Sequence, residues 1–310
     1  MVRDILAAGR VANLPTVVTN VIVGLMLGMA TLGEQFSAEE FLGGLVVVIA
    51  GCCLYLAGCF YNDYHDRHWD AQHKPDRAIP AGRVPAHLML VLILSTGIIG
   101  IGLCVFTGIL SVVVCVLILL FIYIYTRIHK KTALGIIPMG LCRAGLYFLG
   151  IVAVRDMSVW EAGSLMYIQK SLWGHVCSPA YLPGLGLMCY IAGITLVARS
   201  EAMKTLPKWA KWVGLCLLVV PCWTHTVSDW GSLDVLKAIL PALLFVFWAK
   251  RSVESSIGGF VSKCLGAICF LDFVLMLNIR PITMELLPIC VLGLGGMALA
   301  FLLQRVAPAT

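Results

Sequence analysis

The chain has 310 residues, a formal net charge of +6, 60% hydrophobic residues and only 12% charged ones, with a mean hydropathy of +0.96. This composition lies far outside the range of water-soluble domains and reads as a polytopic membrane protein. The basic residues form no patch interleaved with aromatics, so a nucleic-acid surface is not expected.

Met-Val-Arg-Asp-Ile at the start flows into an apolar stretch with no small-residue cleavage site, so no removed signal peptide is predicted. Stretches near the twenty residues that a membrane span needs fall at 11–33, 40–60, 85–107, 109–126, 132–154, 181–199, 209–228, 234–249, 257–278 and 283–304. The segments 109–126 and 234–249 are the shortest. The expectation is an all-α transmembrane bundle of nine to ten spans, forming a single membrane domain over 1–310 with no soluble domain or long linker. Basic residues alternate in side as the spans are counted. Arg10, Lys74, Arg77, Arg83, Arg127, Lys130, Lys131, Arg199, Lys204 and Lys250 share one face, while Asp156, Glu161, Asp229 and Asp234 mark the other. Under the positive-inside rule both termini and the loops on the basic face are cytoplasmic. The thirteen cysteines are scattered through apolar segments without a CxxC pair and read as core residues.

Directly after the second apolar stretch, residues 62–70 read Asn-Asp-Tyr-His-Asp-Arg-His-Trp-Asp. On a helix, Asn62, Asp66 and Asp70 recur every four residues along one face, and Asp63 lies close enough to join it. Asp66 and Asp70 would be about 6 Å apart along the axis. Carboxylates one turn apart can bracket Mg²⁺, an oxygen-seeking ion that shares its ligands with substrate phosphates. Asn62, Asp66 and Asp70 are therefore the candidate metal ligands, and Asp63, Asp66 and Asp70 the candidate catalytic residues. The loop that follows, His73 to Val84, contains two prolines and a glycine. It brings Lys74, Arg77 and Arg83 near the acids. Acid, metal and base together suit a diphosphate.

These residues closely resemble the signature of the UbiA superfamily of intramembrane prenyltransferases, NDxxDxxxD followed by a KPDRPIPxGR-type loop. Ala78 stands where the family has its first proline after the arginine. The resemblance implies nine spans, Mg²⁺, a prenyl diphosphate and a small, usually aromatic acceptor, in an integral membrane protein of the bacterial inner membrane. It also implies a second acidic motif of DxxxD type after the sixth span, ahead of Lys-Thr-Leu-Pro. Here Lys204-Thr205-Leu206-Pro207 is present, but both aspartates are missing; Thr195, Arg199 and Glu201 are the polar residues left. That variant resembles an EboC-type subgroup. Arg199 and Glu201 are carried as substrate-binding candidates: either one Mg²⁺ suffices, or Arg199 is a fixed cation in place of a second metal, or binding survives without chemistry. Arg143 in the fifth span, Asn20 in the first and Tyr125 at the end of the fourth resemble pocket residues of the family. They join Lys74 and Arg77 as substrate-binding candidates. Asn20 reads equally as an interhelical hydrogen-bonding group; for Arg143 a functional role is preferred over a hydrogen bond to backbone carbonyls, and Asp272 in the ninth span has no partner that the sequence names. The function implied is transfer of a prenyl group from an allylic diphosphate to an acceptor. A carrier of prenyl lipids on the same scaffold and a structural subunit are the alternatives.

Overall fold

Every regular element is helical among the residues that the computed structural model describes, which are 1–32, 38–162, 179–202, 209–224, 251, 256–279 and 291–305. Helix α1 (Val2–Ala8) and a 3-10 turn at Val11–Asn13 lead into α2 (Leu14–Leu32). Helix α3 (Ala38–His73) runs unbroken for 36 residues. At 1.5 Å per residue that is about 54 Å, well beyond the ~30 Å of a hydrocarbon core. The apolar span and the acidic motif therefore share one rigid rod.

Helices α4 (Ala86–Thr107) and α5 (Ile109–Ile128) meet at a single residue, Gly108, with φ 148°. That conformation is open to glycine and closed to side-chain residues. A Cβ there would also strike the Asp156 side chain. Asp156 belongs to α6 (Ile136–Ala162) and caps α5 across the bundle. It accepts the Ser111 N–H and hydroxyl, both at 2.7 Å, and the Leu110 N–H at 3.2 Å. The sequence suggests an exposed acidic segment at this point. Instead α6 continues past Arg155 and Asp156 and buries both, because the first N–H groups of α5 have no other acceptor.

Helices α2 and α6 cross at the centre. A Cβ on Gly24 would meet the Tyr147 carbonyl, and one on Gly150 the Val21 carbonyl, so the two backbones touch as small residues allow in membranes. One apolar cluster, including Val17, Leu25, Leu54 and Leu149, packs on the α3 side of this crossing. A second joins Tyr147 to Leu187, Phe260 and Ile268, residues of α7 (Leu182–Ala202), α10 (Ile257–Gly266) and α11 (Ile268–Ile279). The outer faces of α4 and α5 expose large apolar groups such as Ile98 and Phe106, as a lipid-facing surface does.

Seven of the described helical stretches are long and apolar enough to cross a membrane. They coincide with the expected spans at 11–33, 40–60, 85–107, 109–126, 132–154, 181–199 and 257–278. The expected span at 209–228 breaks into α8 (Trp209–Leu217) and α9 (Val220–Thr224). Pro221 sits at that break and has no N–H to continue the ladder. Helix α12 (Gly296–Gln304), entered through a π turn at Val291–Gly295, occupies the end of the expected 283–304 span. Residues 234–249 and the first part of that last span lie outside the described residues.

The α2–α6 crossing predicts a paired outcome. Gly24→Val should destabilise the purified protein by about 3 kcal/mol, the upper end of what overpacking costs, because the clash is with backbone. Gly97→Val, where a Cβ meets nothing within 4 Å, should change stability by about 0.5 kcal/mol or less. Thermal unfolding in detergent reads both.

Candidate active site

The acidic face of α3 is buried, with Asp63, Asp66 and Asp70 only 8, 6 and 5% exposed. Carboxylates that close together and that dry need cations, and three separate segments deliver them. Arg10, between α1 and α2, puts Nη2 3.2 Å from Asp63 Oδ1. Arg77, from the loop after α3, donates Nη1 to both Asp63 oxygens at 3.2 and 3.4 Å. The turn after α5 supplies Asp66, with Lys130 Nζ at 2.9 Å and His129 Nε2 at 3.3 Å. Lys130 also lies 3.9 Å over the Trp69 ring, a cation–π contact that adds to its fixing.

Local folding explains these placements. Arg10 has φ 44° and ψ 49° and is the one described non-glycine residue at positive φ. A bulky residue adopts this region at a cost, and here the strained turn aims the guanidinium at Asp63. The loop 74–85 closes on itself, with the Arg83 and Val84 N–H groups both donating to the Ala78 carbonyl and Gly82 at φ 71°. Arg83 then pairs with Asp4 at 2.6 Å and donates to the Asp76 carbonyl at 2.7 Å. The Arg83 contact holds the Asp4 carboxyl below its ordinary range. Arg83 thus ties α1 to the loop and does not reach the acidic face. Lys74, expected at the site, is exposed and makes no ion pair among the described residues.

Two oxygen groups on the face remain open. Among the described residues the buried Asn62 Oδ1 has no hydrogen-bond partner, and the Asp70 carboxylate makes no hydrogen bond or ion pair. No three His, Cys, Asp or Glu side chains among the described residues converge as a ready cage. Mg²⁺ does not require one, since it keeps waters and binds through one or two carboxylates plus substrate phosphate. The donor set Asn62, Asp66 and Asp70 fits such an ion by its hard oxygen chemistry.

Beside this face opens a cavity of about 360 Å³, within the range of small-molecule sites. Arg10, Asn62 and Tyr125 line it near the acids, and Tyr55, Arg143 and Thr195 line it elsewhere; Ile118, Ile122, Leu146 and Ile191 are among its apolar walls. Asn20 is fully buried behind the wall, accepting from Arg143 at 3.0 Å and donating to Asp272 at 2.8 Å. Asp272 also accepts the Thr19 and Tyr147 hydroxyls. Arg199 is not in the cavity wall. Its guanidinium donates to the His129 carbonyl and, at 2.7 Å, to the Thr132 carbonyl, so it braces the turn that carries His129 and Lys130. Glu201 lies in the last turn of α7, and its side chain is outside the described residues.

Sequence reading missed Arg10 and His129 as partners of the acids and read Lys130 chiefly as topology. A Gly-Arg pair ahead of the first span was the only local hint of Arg10. Nothing in the sequence linked Asp272 to residues 19, 20 and 147.

The helical bundle thus gathers three carboxylates and several fixed cations beside an apolar cavity. Residues 17–259 match the model of the UbiA prenyltransferase family, and the chain belongs to that family. It is 28% identical over 144 residues to a digeranylgeranylglyceryl phosphate synthase of Korarchaeum cryptofilum, covering 46% of this chain and 47% of that one. It is 29% identical over 140 residues to one of Ignicoccus hospitalis, covering 44% and 43%. The chain thus spans about half the length of the curated relatives it matches. A UbiA homologue from Aeropyrum pernix K1 shares the fold at TM-score 0.61 and 15% identity, covering 87% of this chain and 96% of that one. A structure concerned with the biosynthesis of digeranylgeranylglyceryl phosphate synthase in membranes does so at TM-score 0.58 and 18% identity, covering 90% and 98%.

The brace predicts that Arg199→Gln weakens pyrophosphate binding about tenfold, the worth of one displaced charge-assisted contact. Titration calorimetry in nanodiscs measures it. An unchanged affinity would mean that Lys130 and His129 hold their places without Arg199.

Proposed function

We propose that the protein is an intramembrane prenyltransferase that moves a prenyl group from an allylic diphosphate to a small acceptor. The observation that carries this reading is the convergence of Arg10, Arg77 and Lys130 on Asp63 and Asp66 beside an apolar cavity. Membership of the family and the names of its matched relatives support it. On this reading the diphosphate displaces part of the present pairing, and the three cations turn from carboxylate to phosphate oxygens. Asn62, Asp66 and Asp70 would hold Mg²⁺, which when bound would supply charge withdrawal from the leaving group. The allylic C–O bond breaks with its electron pair going to the diphosphate, which Arg10, Arg77 and Lys130 hold by charge-assisted hydrogen bonds. Ile118, Ile122 and Leu146 keep water from the allylic cation, and the ring of Tyr125 offers it a π face. The acceptor then attacks the cation and loses a proton. Residues 1–310 act as a single membrane domain, with the acidic face at the cytoplasmic end.

A second reading is a prenyl-lipid carrier that binds without cleavage. It is favoured by the missing second pair of aspartates and by the engagement of Arg199 with backbone carbonyls.

Pyrophosphate release separates the two. Purified protein with Mg²⁺, geranylgeranyl diphosphate and an acceptor panel should release pyrophosphate only when a suitable acceptor is present. Asp66→Asn should lower that rate at least about a hundredfold, in keeping with loss of an electrostatic catalytic group. Mg²⁺-dependent binding with no release under any acceptor would move the carrier ahead.

A further inference from the structure

A second hollow lies on the outside of the bundle, a groove of about 330 Å³ between α3, α4 and α5. Gly58 and Tyr61 of α3, Leu94 and Gly97 of α4, and Ile122 and Tyr123 of α5 line it. A Cβ on Gly97 would meet nothing within 4 Å, so α4 leaves this trough unfilled. Leu94 and Tyr123 are exposed beside it.

The groove faces the bilayer, and a partition separates it from the candidate site. Gly58 and Ile122 line both the groove and the central cavity. A Cβ on Gly58 would lie 2.9 Å from Ile122 Cδ1, so the isoleucine side chain rests on the bare glycine and forms that partition. An occupant of the groove therefore arrives from the lipid side.

One end of the groove is polar and cationic. Tyr61 and Tyr123 stack there with ring centroids 6.5 Å apart. One turn beyond, the Arg127 guanidinium lies 5.1 Å from the Tyr123 ring centroid. Arg127 is exposed and makes no hydrogen bond or ion pair among the described residues. Helices α4 and α5 contain no Asp or Glu, and Asp63 and Asp66 of α3 are engaged by Arg10, Arg77, His129 and Lys130. Helix α5 has 20 residues, about 30 Å of rise, which matches a hydrocarbon core. Arg127, next to its last residue, thus stands at headgroup level, where tyrosines also gather.

We propose that this groove is a binding site for an anionic phospholipid, one acyl chain lying over Gly97 against Leu94 and Ile122 and the phosphate pairing with Arg127. The match is at both ends: an uncharged trough at chain depth and an exposed cation at head depth. The chain also backs Ile122, so the lipid completes the outer side of the cavity wall. The site is separate from the acidic face and does not depend on the prenyl-transfer reading.

Native mass spectrometry of the full chain, released from detergent, tests it. The protein is first incubated with an equimolar mixture of phosphatidylglycerol and phosphatidylcholine that carry the same acyl chains. Phosphatidylglycerol should be retained about fivefold over phosphatidylcholine, the worth of one arginine near an anionic head. Arg127→Gln should bring the two lipids within about twofold of each other. Gly97→Phe and Leu94→Trp, which fill the trough from an exposed helix face, should lose the retained lipid, with thermal unfolding as the check that both are folded. Free glycerol 1-phosphate, a head without a chain, should displace nothing. A missing preference in the wild type, a preference that survives Arg127→Gln, or retention unchanged in both folded filling variants overturns the proposal. Release of the lipid by glycerol 1-phosphate overturns it as well, by making Arg127 a site for the phosphate alone. Displacement of the lipid by geranylgeranyl diphosphate would give the groove to the prenyl chain instead. A dimer that Gly97→Phe breaks would give it to a second copy of the protein.

Discussion

Compensation of the carboxylates on α3 is the constraint on which the rest of this end of the molecule depends. Asp63, Asp66 and Asp70 are nearly excluded from solvent, and in a low-dielectric setting their mutual repulsion is severe unless cations stand against them. Those cations come from outside α3. Arg10 arrives from the turn before α2, Arg77 from the loop after α3, and His129 with Lys130 from the turn after α5. Three connections that could otherwise take many courses are therefore drawn onto one helix face. The left-handed Arg10, the self-closed loop under Ala78 and the Arg199 brace are the local costs and devices of that convergence.

The same constraint bears on the missing second acidic motif. Where the family resemblance implies a pair of aspartates, α7 offers Thr195 and Arg199. Thr195 bonds back to the Ile191 carbonyl at 2.8 Å, and Arg199 holds the α5–α6 turn. Arg199 thus supports the turn whose Lys130 pairs with Asp66 and lies over Trp69.

Polar groups away from this face are organised differently. Asp156 serves a neighbouring helix terminus, and its oxygens are taken up by α5. Asp272 and Arg143 are joined through Asn20, and the guanidinium faces open volume. Burying charge in a membrane is costly at either place. In the first case the return is a satisfied helix end, and in the second a cation displayed in an apolar cavity.

The sequence by itself determined the membrane class, seven of the spans and the acidic stripe. These depend on composition and on helical periodicity, which are properties of contiguous residues. The departure from the second acidic motif was equally legible, because it is a matter of which residues stand in one short segment. Tertiary structure alone decided that Arg10 and His129 serve the acids, that Lys74 and Arg83 do not, and that Arg199 grips backbone. It alone gave Asp272 its partners, more than a hundred residues away in the chain. The break before Pro221 and the burial of Asp156 also waited on the fold. The reason is common to all of them. A buried charge is placed by whichever group can neutralise or hydrogen-bond it, and in a helical bundle that group is most often on another helix.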